Sequence, residues 1–156
     1  MIYILGERPG PNTDPSVALY PHTNTGAAAR LHRLLSLTQE AYLANTSRLN
    51  AVDDKSSTAS TVARQRVEEF LRTAGQNPFI VLGKSALRAM PAKYRKMAFG
   101  EIKDNVLLLP HTSGVNRVWN DPAFTAEMQR IAREFIHEPR SSGSRASEAP
   151  SDGRAD

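Results

Sequence analysis

Residues 79–86 read Phe79-Ile80-Val81-Leu82-Gly83-Lys84-Ser85-Ala86. Four large apolar residues in a row stop at a glycine and give way to a polar, helix-compatible turn. A strand with one wet face would alternate, so this run predicts a strand covered on both faces. Three other segments take the same form: Ile2 to Leu5 ends at Gly6, Ala41 to Ala44 ends at Asn45, and Val106 to Leu109 ends at Pro110-His111. Between them, apolar residues recur at helical spacing. They are Ala27, Ala28, Leu31, Leu34 and Leu35 within 26–37, where Thr25 is placed to cap, and Val62, Val67, Phe70 and Leu71 within 61–74, where Gly75 closes the helix. A short helix is predicted over 84–90, and a last one over 121–136 with Phe124, Met128, Ile131, Ala132 and Phe135 on one stripe. Four strands alternating with helices predict a three-layer α/β/α domain around a central four-stranded, mostly parallel sheet.

The 156-residue length suits one domain. Residues 138–156 contain no large apolar side chain and cannot offset their ordering entropy, so the domain is expected over 1–137 and a disordered polar tail over 138–156. The tail holds four acidic and three basic residues, which leaves +5 on the body of a chain whose formal net charge is +4. With a pI near 9.7, a polyanionic partner suits that balance. The absence of cysteine excludes disulfides, thiol nucleophiles, iron–sulfur clusters and Cys-ligated zinc. No apolar run approaches the ~20 residues of a membrane span. The first residues read as a strand and not as a signal peptide, so a cytoplasmic protein is expected, bacterial or viral in form.

In parallel sheets ligands bind beyond the C-terminal ends of the strands. The chemically informative residues gather there: Gly6 to Asp14, Asn45, Gly83-Lys84, and His111 to Asn116. Each alone has an ordinary reading. Gly6 to Gly10 could be a tight turn, Asn45 a loop cap, His111 a structural histidine and Asp14-Pro15 a turn. Their joint appearance at strand exits favours a site. Arg88, Lys93, Arg95 and Lys96, with Lys84, Arg48 and Arg117, form either a solvated face or a phosphate-tracking patch. Trp119 is expected to anchor the last helix.

Three segments together carry a family resemblance: Gly6-Glu7-Arg8-Pro9-Gly10, the Asn45 that follows the second predicted strand, and His111-Thr112-Ser113-Gly114-Val115-Asn116. In order and spacing they resemble the uracil-DNA glycosylase superfamily. Its pattern is a Gly-Glu/Gln-x-Pro-Gly/Tyr loop, an Asn after the second strand and a His-Pro-Ser-x-x-Asn/Ser loop after the fourth. The stretch 79–86 resembles its third strand. The likeness covers residues 1–137 and implies a glycosylase that hydrolyses the N-glycosidic bond of an extruded uracil or modified pyrimidine. The product would be an abasic site without strand cleavage, since no lysine is placed for Schiff-base chemistry.

Carried over by position, the resemblance implies that the 6–14 loop holds the hydrolytic water, with Glu7 and Asp14 as its carboxylates. Asn45 would read the pyrimidine edge, and Tyr20 or His22 would stack on the base. His111 would donate to the base oxygen that gains charge, and Val115 would fill the gap left by the flipped nucleotide. Ser113 and Asn116 would hold the loop or a phosphate, and Arg8, with Lys84 and Arg117 of the basic run, would meet DNA. DNA, single- or double-stranded, is the expected partner; a monomer with no metal, no cofactor and no membrane is expected.

Three positions depart from the pattern. Arg8 stands where some branches carry a catalytic Asp, Thr13 stands where others carry a Glu, and Thr112 replaces the motif's Pro. A cation at Arg8 leaves open a catalytically inactive base- or DNA-binding module on the same fold. An enzyme acting on free nucleotides is a third reading, against which the wedge position and the basic run both count.

Overall fold

The computed structural model describes residues 1–7, 19, 27–52, 61–113 and 116–138, without the side chains of residues 61 and 62. In chain order it forms β1 (Ile2–Gly6), α1 (Ala27–Leu34), α2 (Gln39–Asn45), β2 (Thr46–Asn50), α3 (Thr61–Ala74), β3 (Phe79–Leu82), α4 (Lys84–Leu87), β4 (Ile102–Lys103), β5 (Val106–Leu109) and α5 (Pro122–His137). Short 3₁₀ turns occupy Ala92–Tyr94 and Arg117–Asn120. The sheet runs β2-β1-β3-β5-β4, with β2, β1, β3 and β5 parallel and β4 antiparallel to β5.

The inner strands show why continuous apolar runs were needed. Leu5, Phe79, Val81, Val106 and Leu108 point to one face and pack with Ala63 and Val67 of α3 and Ala86 and Leu87 of α4. Ile4, Ile80, Leu82, Leu107 and Leu109 point to the other, against Leu31 and Leu34 of α1, Tyr42 of α2, and Met128, Ala132 and Phe135 of α5. Each of these large strand side chains is almost fully buried, which contributes about 1.5–3 kcal/mol apiece. The expected three-layer α/β/α architecture is present.

Two expectations are corrected. The sheet has five strands instead of four. Ile102–Lys103 is an exposed two-residue edge strand, too short to leave a pattern, and it returns into β5 through Asp104, whose φ of 56° a short polar residue tolerates. The second strand is not 41–44. Those residues lie in α2, whose N-cap Thr38 accepts a hydrogen bond from the Ala41 amide at 3.0 Å. A four-residue apolar run does not distinguish a helical turn from a strand. The true second strand is the polar segment Thr46–Asn50. It sits at the sheet edge, where three of its five residues are only half-buried and no apolar signature is required.

Smaller differences concern helix ends. The first helix stops at Leu34, just before Ser36 takes φ 59°, and α4 is shorter than 84–90. The closing helix matches its expectation, with Asp121 accepting from the Ala123 and Phe124 amides and Pro122 in the first turn.

Candidate functional site

The connection from β1 leads to β2 on one side, and that from β3 leads to β5 on the other. The chain therefore changes direction across the sheet between β1 and β3, and the C-terminal ends of these strands are the place where such sheets hold ligands. Register fixes what stands along this edge. Gly6 is level with Asn50, Leu5 with Val81, and Leu82 with Leu109. Across the edge the order is Asn50, Gly6-Glu7, Gly83, His111. At about 4.8 Å per strand, the outer two backbones stand about 14 Å apart.

β1 ends in a glycine and β3 is followed by one, and in both places the missing side chain lets a neighbour come close. A Cβ on Gly6 would lie 3.0 Å from Asn50 Oδ1 and 3.6 Å from Leu19. A Cβ on Gly83 would lie 3.2 Å from His111 Cβ, and its φ of 91° excludes ordinary L-residues. The bare backbone of the inner strands is thus a trough floor over which the Asn50 amide and the His111 ring lie.

Asn50 is only 5% exposed, and its carbonyl accepts from Arg66 Nη2 at 2.9 Å. Pairing of the two chains continues past it, with Ala51 N donating to Gly6 O and Val52 N to Glu7 O. This keeps half-buried Glu7 at the trough mouth. Further along the first loop, Tyr42 Oη donates to Leu19 O at 2.8 Å. Burial pushes the Tyr42 phenol well above its ordinary range, while Arg48, whose guanidinium lies 5.3 Å from the ring centre, pulls the other way. The phenol stays a neutral donor.

His111 presents an exposed ring on a firmly held backbone. Its carbonyl accepts from both Asn116 Nδ2 (2.8 Å) and Trp119 Nε1 (2.9 Å). Thr112, fully buried, donates its hydroxyl to Ala27 O at 2.9 Å, and Arg30 Nη1 donates to Ser113 O at 2.9 Å. The threonine that stands in for the motif's proline therefore anchors the loop by a hydrogen bond to α1 instead of by a ring. Asn116 also caps the following turn by accepting from Val118 N at 3.3 Å, so its side chain positions His111. Trp119 is the expected packing anchor, edge-on to Phe124 at 5.8 Å.

Asn45 does not belong to this constellation. Thr46, the next residue, is level with Ile2 at the opposite end of the strands, so about 13 Å of β2 separates it from Asn50. Asn45 is exposed at the end of α2. The asparagine that follows the second strand is Asn50, which sequence reasoning missed because the strand itself was misplaced.

Lys84 follows Gly83 at the trough edge, where its ammonium donates to Met97 O at 2.9 Å and lies 5.2 Å from the Phe99 ring centre. Arg117 is exposed at the start of its turn. The basic run divides. Lys93 pairs with Asp104 (3.1 Å), and Lys103 donates to Lys93 O, at the end of β4 level with Val106 and away from the trough. Arg8, Asp14, Tyr20, His22, Val115 and the tail beyond 138 lie outside the described residues. Among the described residues there is no group of three potential metal-ligating side chains, and no helix long and apolar enough to cross a membrane.

A family model described as the Uracil DNA glycosylase superfamily matches residues 1–135. No curated protein and no solved structure matches the chain.

Proposed function

The chain belongs to the uracil DNA glycosylase superfamily, and we propose from that premise that it hydrolyses the N-glycosidic bond of an extruded uracil or modified pyrimidine in DNA. The observation that carries the reading is the glycine-floored trough at the switch point, with Asn50 on one side and His111 on the other. A base within a duplex cannot be reached, so it is flipped out at the expense of a few kcal/mol. In the trough the Asn50 amide offers one donor and one acceptor to the pyrimidine edge. As the bond from C1′ to the base breaks, the electron pair moves into the ring, and His111 donates to the oxygen that gathers the charge. An aimed donor of this kind acts strongly where water is excluded. Water held by the 6–14 loop beside Glu7 or Asp14 adds its hydroxyl to C1′, and its proton neutralises the departing base. An abasic site remains.

Tyr20 or His22 as the stacking ring, Val115 as the wedge, and Arg8, Lys84, Ser113 and Arg117 as backbone contacts complete the proposal. Asn116 acts through His111. Lys84, already engaged by Met97 O, is a poor Schiff-base former, which supports a monofunctional enzyme.

The test is alkali cleavage of labelled single- and double-stranded oligonucleotides carrying uracil, 5-hydroxymethyluracil, mismatched thymine, hypoxanthine or modified cytosines. Cleavage is expected at one or more of these bases, reduced about 100-fold or more in His111→Ala. Tight DNA binding with no cleavage at any of these bases would replace the hydrolase by a recognition module.

A further inference from the structure

We propose that Phe99 is a stacking platform for an unpaired base of single-stranded DNA beside the trough, an inference that rests on DNA being the substrate. Phe99 is 40% exposed, and every other Phe, Tyr and Trp side chain among the described residues is buried or half-buried. A single exposed apolar residue is ordinary. What distinguishes this one is how firmly it is presented and where.

The turn that carries it is fastened at four points. Lys84 Nζ donates to Met97 O at 2.9 Å, Ala98 N donates to Glu101 Oε1 at 2.9 Å, Glu101 N donates to Ala98 O at 3.0 Å, and Gly100 N donates to Leu108 O at 2.7 Å. Gly100, at φ 87°, comes so close to α5 that a Cβ there would meet Met128 Cε at 3.0 Å. A surface turn held this tightly loses little entropy when a ligand meets its apex. Its position follows from the same contacts. Gly100 lies beside Leu108, one residue from the end of β5, and Lys84 reaches the ring from directly after Gly83, against which His111 packs. The sheet edge thus continues from His111 to Phe99.

Charge selects the occupant. Lys84 sits over one side of the ring, and Arg88, Arg95 and Lys96 are exposed on the same connection. An exposed ring with a lysine over it, on a connection that carries three more exposed cations, matches a base with its phosphate backbone, the combination used by proteins that hold single strands. A duplex keeps its bases stacked on each other and offers no unpaired face to the ring.

Fluorescence anisotropy with a labelled oligothymidylate and a duplex of equal length tests this on wild type, Phe99→Ala, Phe99→Leu and Phe99→Trp. Phe99→Ala and Phe99→Leu are expected to weaken single-strand binding by about 5- to 100-fold, with duplex binding within about twofold and an unchanged salt slope. Phe99→Trp should match or exceed wild type, which an effect on folding would not produce. Single-strand affinity within twofold of wild type in Phe99→Ala overturns the proposal. So does an equal loss on both DNA forms, a wild type that binds no single strand, or a change in oligomeric state with DNA binding unaltered. The readout is binding, so a wild type that excises nothing would remove the hydrolase reading while this comparison still decided the role of Phe99.

Discussion

An asparagine stands at each end of β2, Asn45 just before it and Asn50 as its last residue, and the two differ in everything but residue type. Asn45 closes α2, exposed, level with the start of β1. Asn50 ends the strand, buried, with its amide oxygen against the one position of β1 that has no side chain. The residue type is the same, and five positions separate them. What differs is the end of a parallel sheet on which each falls, and only the C-terminal end gathers loops from both sides of the switch point. The same contrast holds for the cations: Lys84 stands at the trough end, whereas Lys93 and Lys103 stand at the other with Asp104 between them.

After the asparagines themselves, the largest effect belongs to Gly83. Gly83→Val adds a branched side chain at φ 91° against His111 Cβ. We expect about 3 kcal/mol of destabilisation in urea unfolding and a loss of excision beyond what that destabilisation explains. Normal stability and normal activity together would show that the inner exits are not a shared floor. Thr112→Val comes next. It removes the hydroxyl bonded to Ala27 O and should lower stability by about 1 kcal/mol, with a loss of activity of a few-fold as the His111 loop loosens.

The smallest effect is at the far end. Burial acts to raise the Asp104 carboxyl, but hydrogen bonds from Lys93 and Tyr94, with the charges of Lys93 and Lys103, outweigh it and hold the group below its ordinary value. Because the folded value is the depressed one, this contribution is present above the ordinary carboxylate range and is lost as pH falls through the folded value. The pair is exposed and screened, so the contribution is only about half a kcal/mol. Unfolding of Asp104→Asn from neutral pH to about pH 3 should show a correspondingly smaller acid loss than wild type. Its excision rate should not change.

The same contrast explains how much was legible beforehand. The bounds of β3, β5 and α3 could be read directly, because strands covered on both faces must be continuously apolar and α3 has one buried stripe bounded by a glycine. An edge strand carries no such obligation. Thr46-Ser47-Arg48-Leu49-Asn50 is polar because one of its flanks has no neighbouring strand, and Ala41 to Ala44 imitates a strand because α2 lays Tyr42 into the core. The positions of His111 and Glu7 at strand exits were legible because proline and glycine mark those exits. Asn50 was not, since no breaker follows it and hydrogen bonding runs on into Val52. The two-residue β4 was too short to show.

The most direct measurement compares single-turnover excision by Asn45→Ala and Asn50→Ala on the base that wild type removes fastest, with unfolding curves for both. Asn45→Ala is expected to stay within about twofold of wild type, and Asn50→Ala, still folded, to fall by about 100-fold or more. A folded Asn45→Ala that is inactive beside an active Asn50→Ala would contradict the role given to Asn50.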